Sequence, residues 1–456
     1  MVNTLYLPEL REYLLQDNTA ELREFCTALH PARVAEFMEG LTADEAWRVL
    51  RYADPLLREQ IFTYFDHERQ VEIFQNQSRD EIASLIADLS ADDRVDLLHD
   101  VDPQVVDELM PMLTPEVRRN ILRLRSYPES TAGAMMTTEY ARLSKSLSVR
   151  DALVQLSPQA EHLETIYYIY VVDDEGHLRG AVSARQLVSA IGRPEVRLGD
   201  LVETELITAN VNEDQEEVAS KVARYDLLAI PVVDDNMRML GIITHDDVID
   251  VMRKEAVEDV QMMAGVAPLD ETYLRTSLLT LSWKRGMWLV VLFFTAMFTA
   301  SALKWYEQRL EQWSWLIMFI PLVMSSGGNS GNQSATLIIA ALSTNDVRLE
   351  DWFRVIRREL IVGLLLGLFL SVCGFIVAFI LTAQEPEVHG QVRSMLVIPL
   401  TLVMVVTAGS VLGSLLPMLF KRLGLDPALM SNPFVAGLSD ILAIIIYMTV
   451  ARILLV

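Results

Sequence analysis

The chain has 456 residues, of which 51% are hydrophobic and 22% charged, with a formal net charge of −24. Residues 1–270 carry 51 Asp/Glu against 25 Lys/Arg, whereas residues 271–456 carry 11 against 13, so the excess negative charge lies entirely in the first region. Such a surface repels nucleic acid and anionic headgroups, and two cysteines, Cys26 and Cys373, exclude a disulfide framework or a CxxC metal site. Its natural small partner is a cation.

Met1 to Leu15 already contains Glu9, Arg11 and Glu12, unlike the basic start and apolar core of a signal peptide. The N-terminal region is therefore expected to stay in the cytoplasm. Residues 1–125 read as a series of short helices. Apolar positions recur at helical spacing, and Asp54-Pro55, Asp102-Pro103 and Thr114-Pro115 mark turns. Ser90, ahead of Ala91-Asp92-Asp93, is a candidate N-cap. Helix pairs stacked in succession are expected.

Residues 130–254 change character. Ile169-Tyr170-Val171-Val172-Asp173-Asp174 aligns with Ile230-Pro231-Val232-Val233-Asp234-Asp235, and Gly180 aligns with Gly241 at the same shift of 61. Each strand–turn–Gly–strand unit leads into a helical stretch, Ser183–Ile191 and Thr244–Met252. This internal duplication of a βαββα-like module resembles a tandem CBS-domain pair. CBS pairs often bind adenosine nucleotides, and Thr244-His245-Asp246-Asp247 fits the Thr/Ser-x-x-Asp pattern that holds ribose hydroxyls. The first module has Gln186 where that Asp belongs. Tyr170, Thr244 and Asp247 are the candidates for holding ATP.

Asp246–Gly265 reads as one acidic helix. Asp246, Asp247, Asp250, Glu255, Glu258 and Asp259 share faces at spacings of three and four. This is either a solvated face, offset by Arg253 and Lys254, or a divalent-cation clamp against facing acids. Candidate facing groups are Asp92 and Asp96 of the helical region and Asp214, Glu216 and Asp226 of the second module.

Five apolar stretches follow, near Gly286–Leu303, Trp313–Leu342, Leu360–Thr382, Met395–Phe420 and Ala428–Val456. Each can span a hydrocarbon core of about 30 Å. Lys284, Arg285, Arg348, Arg354, Arg357, Arg358, Lys421 and Arg422 fall on one side, and Lys304, Arg309, Arg393 and Arg452 on the other. The richer side is expected to be cytoplasmic, which puts the C-terminus outside. Trp305, Tyr306, Trp313 and Trp315 suit an interfacial belt.

Two anomalies interrupt these spans. Ser325 to Ser334 is a polar or small run inside the second stretch. It must face another helix or a watery cavity, because lipid satisfies no polar group. One reading is a small-residue helix seam, the other an oxygen-lined cation path. The fifth stretch holds Asp440, read as the only carboxylate well inside a span; such a residue marks an ion pathway unless a basic partner meets it, and none lies mid-span. Pro433 and Gly437 loosen the helix beside it. One carboxylate among neutral oxygens suits a hard, hydrated ion, whereas soft metals would call for His or Cys. His389 lies in an outer loop, so the residues separate hard from soft ions without singling out Mg²⁺.

The succession of acidic helical domain, CBS pair, acidic connecting helix and five spans resembles the MgtE family of Mg²⁺ channels. Pro321-Leu322-Val323, Gly327 to Leu337, Asp426-Pro427-Ala428, Ser431-Asn432-Pro433 and Ser439-Asp440 carry the resemblance. It implies a homodimer around a central pore, with Asp440 binding hydrated Mg²⁺ opposite its mate. Pore-lining candidates are Gly328, Asn329, Asn332, Gln333, Asn432, Pro433 and Ala436. It also implies negative feedback, in which internal Mg²⁺ compacts the acidic domains and the connecting helix plugs the pore.

The expected architecture is thus multidomain: a helical acidic N-domain (1–129), α/β CBS modules (130–199 and 200–252), a connecting plug helix (253–282) and a five-helix transmembrane domain (283–456). The expected setting is the bacterial cytoplasmic membrane, with lipid around the spans and no nucleic-acid partner. Broader divalent entry, such as Co²⁺ or Ni²⁺, stays open. An anion channel would need a basic path, which Asp440 opposes. An enzyme would need a motif such as Walker A, GxSxG or HExxH, and none is present.

Overall fold

Pro55, Pro103 and Pro115 each occupy the first turn of a helix, after Asp54, Asp102 and Thr114. Proline's fixed φ suits that position and its missing amide removes no helix bond. The computed structural model describes residues 5–160, 163–269, 272–274, 276–383, 391–429 and 432–456. His389 and Ser431, used in the sequence reading, lie outside them. The chain divides into two compact units, Met1–Arg253 and Lys254–Val456.

The first unit opens with a run of short helices from α1 (Leu7–Gln16) to α10 (Pro115–Leu124). From the third onward each helix packs on the one two places further along. One row is Pro31–Met38, Pro55–Thr63, α7 (Arg79–Asp88) and Pro103–Leu109. The other is Ala43–Leu50, His67–Asn76, α8 (Ala91–Asp100) and α10. Trp47, Phe62, Phe74, Leu85 and Ile86 fill the space between the rows. Polar side chains cap the starts of several helices: Thr42 and Glu45 form a capping box, and Ser90 Oγ accepts from Asp93 N.

The duplication is a pair of βαββα modules. The first comprises α11 (Ala132–Met135), β1 (Tyr140–Ser144), α12 (Val149–Leu156), β2 (Thr165–Val172), β3 (Leu178–Ser183) and α13 (Ala184–Ser189). The second comprises β4 (Ala209–Asn210), α14 (Gln215–Arg224), β5 (Ala229–Val233), β6 (Met239–Thr244) and α15 (His245–Met263). In each, the first strand runs parallel to the second and the second antiparallel to the third. The turns are built alike: Asp173 accepts from the amides of Glu175 and His177, and Asp234 from those of Asn236 and Arg238.

The repeated glycines have a steric cause. The segment before each module's first strand adds to the other module's sheet. Ala181 and Glu203 exchange amide bonds, as do Thr137 and Ile242. A Cβ at Gly180 would lie 2.3 Å from Glu203 O, and one at Gly241 2.6 Å from Thr137 O, so each crossing requires glycine. The helical core continues into the second module through Ile121, Leu124, Ala132, Met136 and Val211.

In the second unit the long helices are α16 (Leu278–Trp305), α18 (Ile320–Ser343), α19 (Trp352–Leu381), α20 (Val392–Arg422) and α21 (Asn432–Leu455), with the short α17 (Glu307–Gln312) after α16. Four of these, all but α18, are long and apolar enough to cross a membrane. The 24 residues of α18 reach about 36 Å at 1.5 Å per residue, but its polar run lowers its hydropathy. Central α20 packs on α18, α19 and α21, while α16 touches chiefly α21. The expected connecting helix at 253–282 is corrected here. The helix is α15, which begins in the second module and ends at Met263; the chain then turns, and α16 already starts at Leu278. Gln261 Oε1 accepts from Leu269 N and Lys284 Nζ donates to Pro268 O, tying the turn to both neighbours.

Candidate ion path and acidic regulatory face

The polar run of α18 serves two faces. Toward α20, glycines at i and i+4 on both helices bring the backbones together. A Cβ at Gly409 would lie 2.5 Å from Gly327 O, and one at Gly413 2.1 Å from Gly331 O. Ser330 Oγ lies 2.7 Å from Ser410 Oγ. This is a small-residue seam. The other face of α18 opens a cavity of about 500 Å³. Its wall comprises Ile320, Pro321, Met324, Ser325, Gly328, Asn329, Ala436 and Asp440. The helical period of 3.6 separates the faces, so one run supplies both a seam and a cavity wall.

Of the pore-lining candidates, Gly328, Asn329 and Ala436 join Asp440 in this wall. Asn332 stands one turn along, with a buried, unpartnered Oδ1; beside Asp440, Ser439 Oγ is likewise buried and unpartnered. Asn432 Oδ1 accepts from Thr336 Oγ1 at 3.2 Å. Pro433 lies beside Gly265 and Trp288. Gln333 is exposed and outside the cavity wall.

A second carboxylate, Glu359, stands at the charged end of a long apolar helix, beside Arg357 and Arg358. Glu359 lies in the third turn of α19, and its Oε2 accepts from Ser334 Oγ at 2.6 Å. The apolar stretch read from Leu360 begins one residue after it, and the start of α19 at Trp352 puts both on one helix.

In the first unit, α8 and the start of α15 bring acids together. Asp92 is 8% exposed, with an unpartnered Oδ1. Its carboxyl is held well above the usual range by burial and then by Asp247, Asp93 and Glu164. Burial pushes Asp247 up to about 6 against the bond it accepts from Thr244 Oγ1 at 2.6 Å. Loss of solvent, then Asp247, Asp93 and Asp246, push Glu164 up to about 8; Glu59 rises to about 7 for like reasons beside Asp93 and Asp88. Asp93 is raised by burial and by Asp246 and Asp250. Arg94, 5% exposed, counters this charge through Glu139 Oε1 at 3.0 Å and the carbonyls of Ile86 and Ala87.

The expected sensor residues divide. Asp92, Asp247 and Asp250 meet across α8 and α15, joined by Asp93, Glu59, Glu139 and Glu164, which the sequence reading left out. Asp96 is exposed one turn along α8. Asp214 caps α14 through Glu216 N, and Glu216 and Asp226 are exposed. In the second unit, burial and then Asp426, Glu255 and Glu258 push Asp259 up to about 6. Among the described residues, no three His, Cys, Asp or Glu side chains already stand as a metal cage. Of the ATP candidates, Tyr170 is buried with its hydroxyl unpartnered, while Thr244 and Asp247 bond each other.

Stacked acidic helices, a CBS pair and a unit of long apolar helices with Asp440 in a cavity wall define a membrane transporter for cations. Residues 320–450 match the family model described as "Divalent cation transporter", 29–130 the MgtE intracellular N domain, and 132–193 and 198–254 the CBS domain. The chain is 38% identical to the magnesium transporter MgtE of Thermus thermophilus, covering 98% of both chains. It is 33% identical to that of Enterococcus faecalis, over 97% of this chain and 95% of the other. Among solved structures, the soluble part of a magnesium transporter matches at TM-score 0.51 and 33% identity, over 55% of this chain and 97% of that one. The cytosolic domain of the Mg²⁺ channel MgtE in complex with ATP matches at TM-score 0.50 and 33% identity, over 53% and 98%. The chain belongs to the MgtE family.

Proposed function

We propose that this protein is a homodimeric Mg²⁺ channel of the bacterial cytoplasmic membrane that admits Mg²⁺ down its electrochemical gradient and closes when internal Mg²⁺ binds its acidic domains. The single observation that carries the reading is the cavity where Asp440 meets Gly328, Asn329 and Ala436. A divalent ion there gains about 4.6 kcal/mol per 100 mV of membrane potential, at about 2.3 per charge. Neutral oxygens around one carboxylate favour a hydrated hard ion. The relatives' names support Mg²⁺ as the cargo; Co²⁺ and Ni²⁺ are the competitors to measure.

The feedback rests on the crowded acids of α8 and α15. Their mutual repulsion opposes docking until protons or a divalent ion neutralise it, so Mg²⁺ binds the docked form more tightly and shifts the population toward it. Asp96, Asp214, Glu216 and Asp226, with Glu255, Glu258 and Asp259 further along, would complete the ion's surroundings in the closed dimer. ATP would be held by Tyr170, Thr244 and Asp247, a reading supported by the ATP-bound relative. Because Asp247 stands beside Asp92, nucleotide and ion occupancy would be linked.

The deciding experiment is Mg²⁺ uptake into proteoliposomes by wild type and Asp440→Ala, at low and high internal Mg²⁺. Selective flux that disappears in the variant and falls at high internal Mg²⁺ supports path and feedback together. Equal flux in the variant rejects the path, and flux indifferent to internal Mg²⁺ rejects the feedback.

A further inference from the structure

The outer face of α19 combines charge and apolar surface in one line. Only 17% of its span is buried, and Val355, Gly363, Gly367, Gly374 and Ala378 are its buried positions. Opposite them, Arg354, Arg358, Ile361, Leu365, Leu368 and Val372 recur at alternating spacings of four and three, one stripe along the helix. The four apolar members are 51–63% exposed. Arg357 flanks the stripe at its charged end, and the exposed Trp352 lies two residues before Arg354, on another side of the helix.

The arginines have few partners. Arg354 Nη1 reaches Asp351 Oδ1 at 2.9 Å with its side chain 85% exposed. Arg357 and Arg358 are exposed and, among the described residues, form no ion pair. The adjacent Glu359 turns the other way, to Ser334. Two unneutralised guanidiniums thus stand where a headgroup phosphate would sit, and the stripe beyond them is where its acyl chain would lie. Guanidinium forks match phosphate oxygens in pairs, and an interfacial tryptophan marks the same depth. A soluble phosphate would satisfy the charge but leave the apolar stripe bare.

We propose that Arg357 and Arg358, with Arg354 at the rim, bind the phosphodiester of an anionic phospholipid whose acyl chain lies along Ile361, Leu365, Leu368 and Val372. The lipid stands one residue from Glu359, the tether of the cavity helix α18. Binding at this corner does not depend on which ion is transported.

The test uses the full-length protein in phosphatidylcholine nanodiscs doped with brominated phosphatidylglycerol or brominated phosphatidylcholine. The quenching owed to Trp352 is taken as the difference between wild type and Trp352→Phe. Expected is a preference for phosphatidylglycerol of about fivefold per arginine engaged at low salt, falling as salt is raised. Arg357→Gln/Arg358→Gln should remove the preference, while Lys304→Gln/Arg309→Gln, which removes equal charge on the other side, should keep it. If the first variant fails to fold, salt screening in wild type reads the same term. Equal quenching by both lipids in wild type, or a preference that survives the arginine substitutions, overturns the proposal. Quenching by neither lipid also overturns it, because no lipid would then stand at this end of α19.

Discussion

Backbone contact decides what α18 and α20 tolerate at single positions. The Gly413 Cα stands so close to Gly331 O that an added Cβ would sit 2.1 Å away. A methyl there forces the helices apart. Gly413→Ala should destabilise the membrane unit by about 1–3 kcal/mol, despite alanine's better helix propensity. Gly286 of α16 has nothing within 4 Å of the same point, so Gly286→Ala should be neutral or stabilising by up to about 1 kcal/mol. Thermal unfolding in detergent compares the two; equal melting temperatures would reject the seam. Arg94 is the corresponding residue of the first unit. Arg94→Ala leaves Glu139 and two carbonyls without their donor in an already acidic setting, and should cost about 3–5 kcal/mol. Faster amide exchange in residues 79–100 of the full chain would register the loss.

Pairs of elements set the pH response. Glu59, Glu164 and Asp247 lie at about 7, 8 and 6, above the ordinary carboxyl value of about 4. Docked α8 and α15 therefore bind protons that the separated elements release. Stability from this contact is fully present below the ordinary value and is lost as pH rises through the raised ones. Without divalent ions, protection of α8 from exchange should fall between about pH 5 and pH 8, and Mg²⁺ should restore it at pH 8. Protection that rises with pH would reject the assignment. At this scale the sequence was partly legible. The shift of 61 exposed the two modules, and Asp-Pro and Thr-Pro marked helix starts. The crossing segments that explain Gly180 and Gly241 were not legible, because they join residues far apart in the chain.

For the whole molecule, the proposed closure is a population shift that differential Mg²⁺ affinity would set. Removing charge from the docked face removes both the repulsion and the ion's reason to bind there. Asp92→Asn/Asp247→Asn should lower flux at low internal Mg²⁺, because the docked form no longer waits for the ion, and weaken the dependence of flux on internal Mg²⁺ about tenfold or more, a change of at least about 1.4 kcal/mol in coupling. Uptake measured across a series of internal Mg²⁺ concentrations checks it; an unchanged dependence would place the sensor elsewhere.

Composition and local pattern by themselves determined the acidic and apolar halves, the stacked helices, the paired modules and the exceptional Asp440. These follow from periodicity, capping and solvation, which act over a few residues. Tertiary structure alone decided which face of α18 is seam and which is cavity, since that depends on where α20 and α21 lie. It alone added Asp93, Glu59 and Glu164 to Asp92 and Asp247, because burial and like-charge repulsion are properties of approach in space. It alone joined Glu359 to Ser334 and lined up the arginines of α19 with its outward stripe, since only packing tells which side of a wholly apolar helix is left open.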